Sequence, residues 1–243
     1  MLYIRTSMAV VPILLFNSQQ RPFKILGTGF FMGTIPFLIT AKHVFPELNQ
    51  GERFGILIDD GHGRLVGYYY IDDMIKSEKF DIVLCPINNL PEIVQSLPIS
   101  EDKIFSRNAD IATIEYSPTK FTDDGSGKIE ITCDSYYNKG NITRFFQGPN
   151  ESGIMTDFME TSYPCLRYSS GAPIFNANNC LVYGMVIGNL ESELPPALVI
   201  SERYGSDFRE ERKYFLPRGR GIRARHILEF VDVNGIEVIR GSG

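Results

Sequence analysis

The apolar residues of this chain come in short runs, each cut off by Gly, Asn, Asp or Pro, and that interruption decides the fold class. Runs at residues 7–16, 25–32, 36–40, 54–58, 65–70 and 81–87 are rich in β-branched and aromatic residues. After a connector at 88–100, punctuated by Asn88-Asn89, Pro91 and Pro98, further runs follow at 111–116, 128–134, 142–147, 181–188 and 197–201. Runs of this length and spacing predict an all-β barrel or sandwich rather than helices or a parallel α/β sheet. One segment breaks the pattern. Residues 224–231, Ala-Arg-His-Ile-Leu-Glu-Phe-Val, have apolar residues at helical spacing and predict a helix. The texture change at the connector divides the chain into an expected N-terminal β unit, 1–98, and a C-terminal one, 99–243.

Composition narrows the function classes. A net charge of −5 argues against nucleic acid as the partner, since a phosphate backbone calls for a basic face. The four cysteines, Cys85, Cys133, Cys165 and Cys180, form no C-x-x-C pair, so neither a zinc site nor any other metal site is expected. Cys85 and Cys180 lie in apolar runs and read as small core residues. The run at 8–16 lacks a small-residue cleavage site and is too short to span a bilayer, so it reads as a first strand. These features point to a cytoplasmic protein with no membrane partner. The charged stretch 202–225, with Arg203, Arg209, Arg212, Lys213, Arg218, Arg220, Arg223 and Arg225 among acids, reads as a solvated surface.

Three fragments carry chemistry. Arg167-Tyr168-Ser169-Ser170-Gly171-Ala172-Pro173-Ile174-Phe175 puts a serine in a tight turn ahead of an apolar hairpin. Such a turn projects a hydroxyl from a rigid element and leaves nearby backbone N–H groups free to hold an oxyanion. His43 ends the stretch Leu38-Ile39-Thr40-Ala41-Lys42-His43, where a strand leads into a short turn, a suitable mounting for a general base. His62, in Asp60-Gly61-His62-Gly63, reads as exposed, and His226 as a packed or surface residue of the helix. A base of this kind needs a carboxylate to orient it. Asp81, in Phe80-Asp81-Ile82-Val83-Leu84, and Asp110, in Ala109-Asp110-Ile111, are rivals; Asp81 is preferred because it precedes the connector, as His43 does.

Together the fragments resemble the histidine, aspartate and serine signatures of chymotrypsin-like (trypsin-fold) serine peptidases, in that family's order. The resemblance implies two six-stranded antiparallel barrels, a C-terminal helix and a catalytic triad of His43, Asp81 and Ser170. It also implies an oxyanion hole from the backbone N–H groups of Tyr168 and Ser170, and no cofactor. The implied partner is a peptide or protein, aligned along the strand of Ile187, Gly188 and Asn189 by strand addition. Pro164 and Cys165 fall where the family's specificity pocket often has its floor, and Glu191 and Glu193 read as loop acids that could favour basic side chains. Tyr168 stands where the family usually has glycine. That departure keeps a second reading open, a catalytically inactive module of the same fold that binds a protein or peptide. Ser169 replaces the aspartate of secreted trypsins, and the chain has no Ile-Val-Gly-Gly start. Zymogen activation is therefore not expected, and the chain looks closer to the intracellular or bacterial branch.

Overall fold

The computed structural model describes residues 6–101, 108–123, 129–193, 197–203, 206–212 and 215–242, with side chains described outside 118–133 and 194–214. Seven strands form the first sheet: β1 (Val10–Phe16), β2 (Pro22–Met32), β3 (Phe37–Thr40), β4 (Arg53–Asp59), β5 (Leu65–Ile71), β6 (Ile75–Lys76) and β7 (Val83–Pro86). They lie in the order β5-β4-β1-β2-β3-β7-β6, antiparallel throughout. β1 is buried along its whole length, which explains its unbroken apolar run. Pro12, which lacks an N–H, sits where β1 pairs with β2 only; the pairing with β4 starts at Ile13.

The remaining strands are β8 (Ile99–Ser100), β9 (Asp110–Asp123), β10 (Ile129–Pro149), β11 (Met155–Thr161), β12 (Pro173–Asn176), β13 (Val182–Glu193), β14 (Ala197–Arg203), β15 (Ser206–Arg212) and β16 (Phe215–Arg223). Helix α1 (Ala224–Val233) and β17 (Arg240–Gly241) follow. The second sheet runs β12-β9-β10-β11-β16-β13-β8-β17, and an extra pairing of β12 with β13 closes six of these strands into a ring. The first sheet departs from the implied six-stranded barrel: its seven strands end at β5 and β6, which do not pair. β14 and β15 form a separate two-stranded ribbon. The side chains of Arg203, Arg209, Arg212 and Lys213, in the predicted solvated stretch, lie outside the described residues.

Two expected strands, 128–134 and 142–147, are one. β10 pairs with β9 as far as Asn141 and with β11 from Ile142 onward, so a single bent strand serves two neighbours. α1 runs two residues past the predicted end and buries Ala224, His226, Ile227, Phe230 and Val231. No helix among the described residues is long and apolar enough to cross a membrane.

One apolar core runs through both sheets: Ile13, Phe30, Leu38 and Ile82 belong to the same cluster as Ile114, Phe175, Met185 and Ile222. A smaller cluster, with Ile111, Ile142, Met159, Ile174 and Val186, adjoins it in the second sheet. Polar contacts cross the junction as well. Tyr116 on β9 donates its hydroxyl to the Val10 carbonyl at 3.2 Å and its backbone N–H to Thr28 Oγ1 at 3.1 Å.

Gly171 shows how tightly the sheets are joined. It has φ +90°, and a Cβ there would overlap the Thr28 carbonyl and the Thr40 hydroxyl. Gly171→Ala is expected to destabilise the fold by about 2–4 kcal/mol, since both backbone conformation and space are wrong for a side chain. A urea midpoint equal to that of wild type would contradict this.

Candidate active site

β3 delivers the chain to a 3-10 turn, Lys42–Val44. Val44 is buried beneath it, and Lys42 Nζ donates to the Ser77 carbonyl at 3.0 Å. His43 is thus held by its neighbours on both sides. Asp81 lies in an equally fixed loop. Ser77 N–H bonds to the Ile82 carbonyl and Phe80 N–H to Ser77 Oγ, both at 3.0 Å, while Phe80 and Ile82 are buried.

Asp81 grips His43 twice. Its Oδ1 accepts the His43 backbone N–H at 3.0 Å, and its Oδ2 lies 2.6 Å from His43 Nδ1. An ionised carboxylate can only accept, so Nδ1 carries a proton and Nε2 of the neutral ring has a free lone pair. The hydrogen bond to Asp81 raises the His43 pKa above its ordinary 6.5, against partial burial. Burial opposes ionisation of Asp81, yet the hydrogen bonds and charge of His43 outweigh it and hold Asp81 below 3.8.

The serine turn is anchored from beneath. Ser169 is buried, and its hydroxyl donates to the Leu166 carbonyl at 2.7 Å. Gly171 N–H bonds to the Val186 carbonyl, and Ala172 N–H to that of Ser169, both at 2.8 Å. From β2, Thr28 N–H donates to the Ser170 carbonyl at 2.9 Å, and Thr28 Oγ1 to the Tyr168 carbonyl at 3.0 Å. Gly27 makes room for this crossing: a Cβ on it would lie 2.8 Å from both the Ser170 carbonyl and Val44 Cγ2. The backbone of Ser170 therefore sits close to the residue that follows His43. Ser170 Oγ makes no hydrogen bond to His43 among the described residues; such bonds commonly tighten only when substrate is bound.

Tyr168 adopts φ +73°, the left-handed conformation that glycine adopts freely. For a tyrosine this costs roughly 1–2 kcal/mol. Its ring lies 5.0 Å from the Arg167 guanidinium.

Ile187 and Gly188 are half-buried and Asn189 is exposed on β13, where the pairing with β16 is interrupted by a bulge. Asn189 is not free. Its Oδ1 accepts from Cys165 N–H at 2.8 Å and its Nδ2 donates to the Cys165 carbonyl at 2.9 Å, tying this strand to the segment ahead of the serine. Cys165 is buried and Pro164 exposed, as are Glu191 and Glu193. A cleft of about 30 Å³ beside the dyad is lined by Asp81, Phe158, Ile187 and Arg220, among others. Larger depressions lie along α1 and the loop after it, away from His43.

Asp110 does not approach His43; it is exposed and accepts from Asn141 Nδ2 at 3.0 Å. His62 is exposed in its turn. His226 is packed against Phe80, with ring centroids 4.4 Å apart, and its Nε2 accepts the Asp157 backbone N–H. Burial pushes its pKa down to about 4, so it is a neutral structural ring, and its 3.2 Å approach to Asp157 is not an ion pair. Sequence patterning missed Thr28, which holds the serine turn, and Thr40, which bonds to Thr28. The glycines on either side of Thr28 were the available sign of a close backbone approach.

No family model matches the chain, and no curated protein matches it. Solved structures do. Rv3671c protease in its inactive form aligns over 95% of this chain and 90% of its own, at 15% identity and TM-score 0.58. A mutant of Rv3671c from M. tuberculosis H37Rv, also in an inactive form, gives 16% identity and TM-score 0.59 over 95% of this chain and 88% of its own. The HtrA-type protease AlgW, solved with a decapeptide, gives 16% identity and TM-score 0.60 over 94% of this chain and 64% of its own. The fold is therefore that of the trypsin-like serine proteases, all-β with one C-terminal helix.

The dyad sets a pH dependence. The folded pKa of His43 is raised, so its stabilising contribution is complete below 6.5 and is lost as pH rises through the folded value. The folded pKa of Asp81 is depressed, so its contribution is present above 3.8 and is lost as pH falls through the folded value. In Asp81→Asn the His43 titration, followed by NMR, should move to lower pH. In Asp110→Asn it should stay where it is; a larger shift there would transfer the orienting role.

Proposed function

We propose that the protein is a serine endopeptidase that works through His43, Asp81 and Ser170. The observation that supports this reading is the double hold of Asp81 on His43, which fixes the tautomer and leaves Nε2 with a free lone pair.

In the proposed reaction a peptide lies along Ile187, Gly188 and Asn189 by strand addition. Ser170 Oγ attacks the scissile carbonyl as His43 Nε2 takes its proton. The oxyanion is held by the N–H groups of Tyr168 and Ser170, and Asp81 stabilises the imidazolium. His43 then protonates the leaving amine, and water releases the acyl group by the same steps in reverse order. The proton transfers run among side chains and water, so the chemistry needs no cofactor. A peptide as ligand is supported by AlgW, which shares the fold and was solved with one.

Fluorophosphonate labelling with intact-mass readout tests the nucleophile. Wild type should take one adduct and Ser170→Ala none, with peptide turnover down by roughly a millionfold. A well-folded wild type that takes no adduct would overturn the peptidase reading in favour of a peptide-binding module. Tyr168→Gly removes the left-handed strain and should raise turnover on small esters; an unchanged rate would show that tyrosine does not hinder the hole.

A further inference from the structure

The loop 77–82 between β6 and β7 carries Asp81, and one buried residue at its base holds it together. That residue is Ser77, and each of its polar groups is used. Its N–H donates to the Ile82 carbonyl at 3.0 Å, closing the loop just beyond the last β6–β7 pair, Lys76 and Val83. Its Oγ accepts the Phe80 N–H at 3.0 Å, which fixes the backbone immediately ahead of Asp81. Its carbonyl accepts Lys42 Nζ at 3.0 Å, and Lys42 opens the 3-10 turn in which His43 is the next residue. Ser77 therefore bonds both to the loop that carries the carboxylate and to the turn that carries the ring.

The other polar contacts of the loop lie at the surface. Lys79 Nζ pairs with Glu229 of α1 at 2.9 Å, and Asn150 Nδ2 donates to the Lys79 carbonyl at 2.6 Å, both in exposed positions. Such contacts compete with water and constrain little. Burial of the Phe80 and Ile82 side chains is non-directional, so it does not set how the peptide ahead of Asp81 is turned. The Ser77 hydroxyl does. Without it the Phe80 N–H would lack an acceptor in a buried place, and the backbone would turn to find one. Asp81 tolerates little movement, because its two oxygens must meet two donors of His43, the backbone N–H at 3.0 Å and Nδ1 at 2.6 Å.

We infer that Ser77 is a positioning residue: its hydroxyl and carbonyl set the Asp81 loop against the His43 turn, so that both oxygens of Asp81 reach His43. The effect on the dyad stands on these hydrogen bonds, whereas the effect on turnover rests on the peptidase reading. Ser77 does not line the cleft beside Ile187; it lines the larger depression along α1. Its loss should therefore lower kcat and leave KM unchanged.

The test compares wild type with Ser77→Ala and Ser77→Thr. Alanine removes the acceptor for Phe80 and leaves the two backbone bonds. Threonine keeps the hydroxyl, and its methyl has room in the depression of about 300 Å³. Neither substitution alters a charge. The charged groups acting on His43 are Asp81, Glu151 and Arg220, and Lys42 acts on Asp81, so a shift in the His43 titration reports the placing of Asp81. By NMR, His43 of Ser77→Ala should titrate at lower pH than in wild type, and His43 of Ser77→Thr should titrate with wild type. Fluorophosphonate labelling and kcat on a small ester should fall about a hundredfold in Ser77→Ala, and threonine should restore both. An unchanged His43 titration in Ser77→Ala, whatever its melting temperature, overturns the inference. A threonine variant that titrates with the alanine one, or a rise in KM with kcat intact, does so too. Should the alanine variant not fold, Ser77→Cys carries the same comparison, since its sulfur is only a weak acceptor in the same space. If the His43 shift and its rescue are seen but no protein labels, Ser77 still positions the pair and it is the peptidase reading that fails.

Discussion

Thr28 joins the two halves of the molecule, and the site depends on it. Its backbone N–H holds the Ser170 carbonyl and its hydroxyl holds the Tyr168 carbonyl. The same hydroxyl oxygen accepts the Tyr116 amide, and its carbonyl accepts the Thr40 hydroxyl at 2.7 Å. One residue therefore fixes the serine turn, β9 and the end of β3, from which the chain runs on to His43. Every polar group of Thr28 is used in a place closed to water. Losing one would strand a partner in the core, where an unmade bond costs more than a made one contributes. Gly27 makes the crossing possible, because a Cβ there would lie 2.8 Å from the Ser170 carbonyl.

The electrostatics of the site follow the same economy. Two buried carboxylates, Asp81 and Glu115, are treated in opposite ways. Asp81 has His43 against both of its oxygens and stays ionised despite its burial. Glu115 is fully buried, accepts from Asn138 Nδ2 and has no cation against it among the described residues, and burial raises its pKa to about 7. The difference lies in the partner each fold position supplies, not in the acid itself. Tyr168 adds a third feature, a left-handed residue with a full side chain, held there by the Thr28 hydroxyl on its carbonyl.

Much of this was legible in the sequence. Short apolar runs cut by turn residues marked an all-β chain, and helical spacing marked α1, because both periods are written locally. Asp81 was preferred to Asp110 as the partner of His43 because it precedes the connector, as His43 does. The contact itself was not legible, since Asp110 offered the same local pattern and only packing separates the two. The break expected near 135–141 in β10 was also misread, because pairing with β9 carries that polar stretch as strand.

Sequence alone determined the strand-rich architecture, the helix, and the residue types able to carry acyl-transfer chemistry, for these depend on neighbours a few positions apart. Tertiary structure decided the rest. It closed one sheet into a ring and left the other open, chose Asp81 over Asp110, engaged Asn189 with Cys165, and buried Glu115 without a cation. Each of those outcomes depends on which groups from distant parts of the chain share a space that water cannot enter. Pattern along a chain records periodicity, but it does not record what lies across a core.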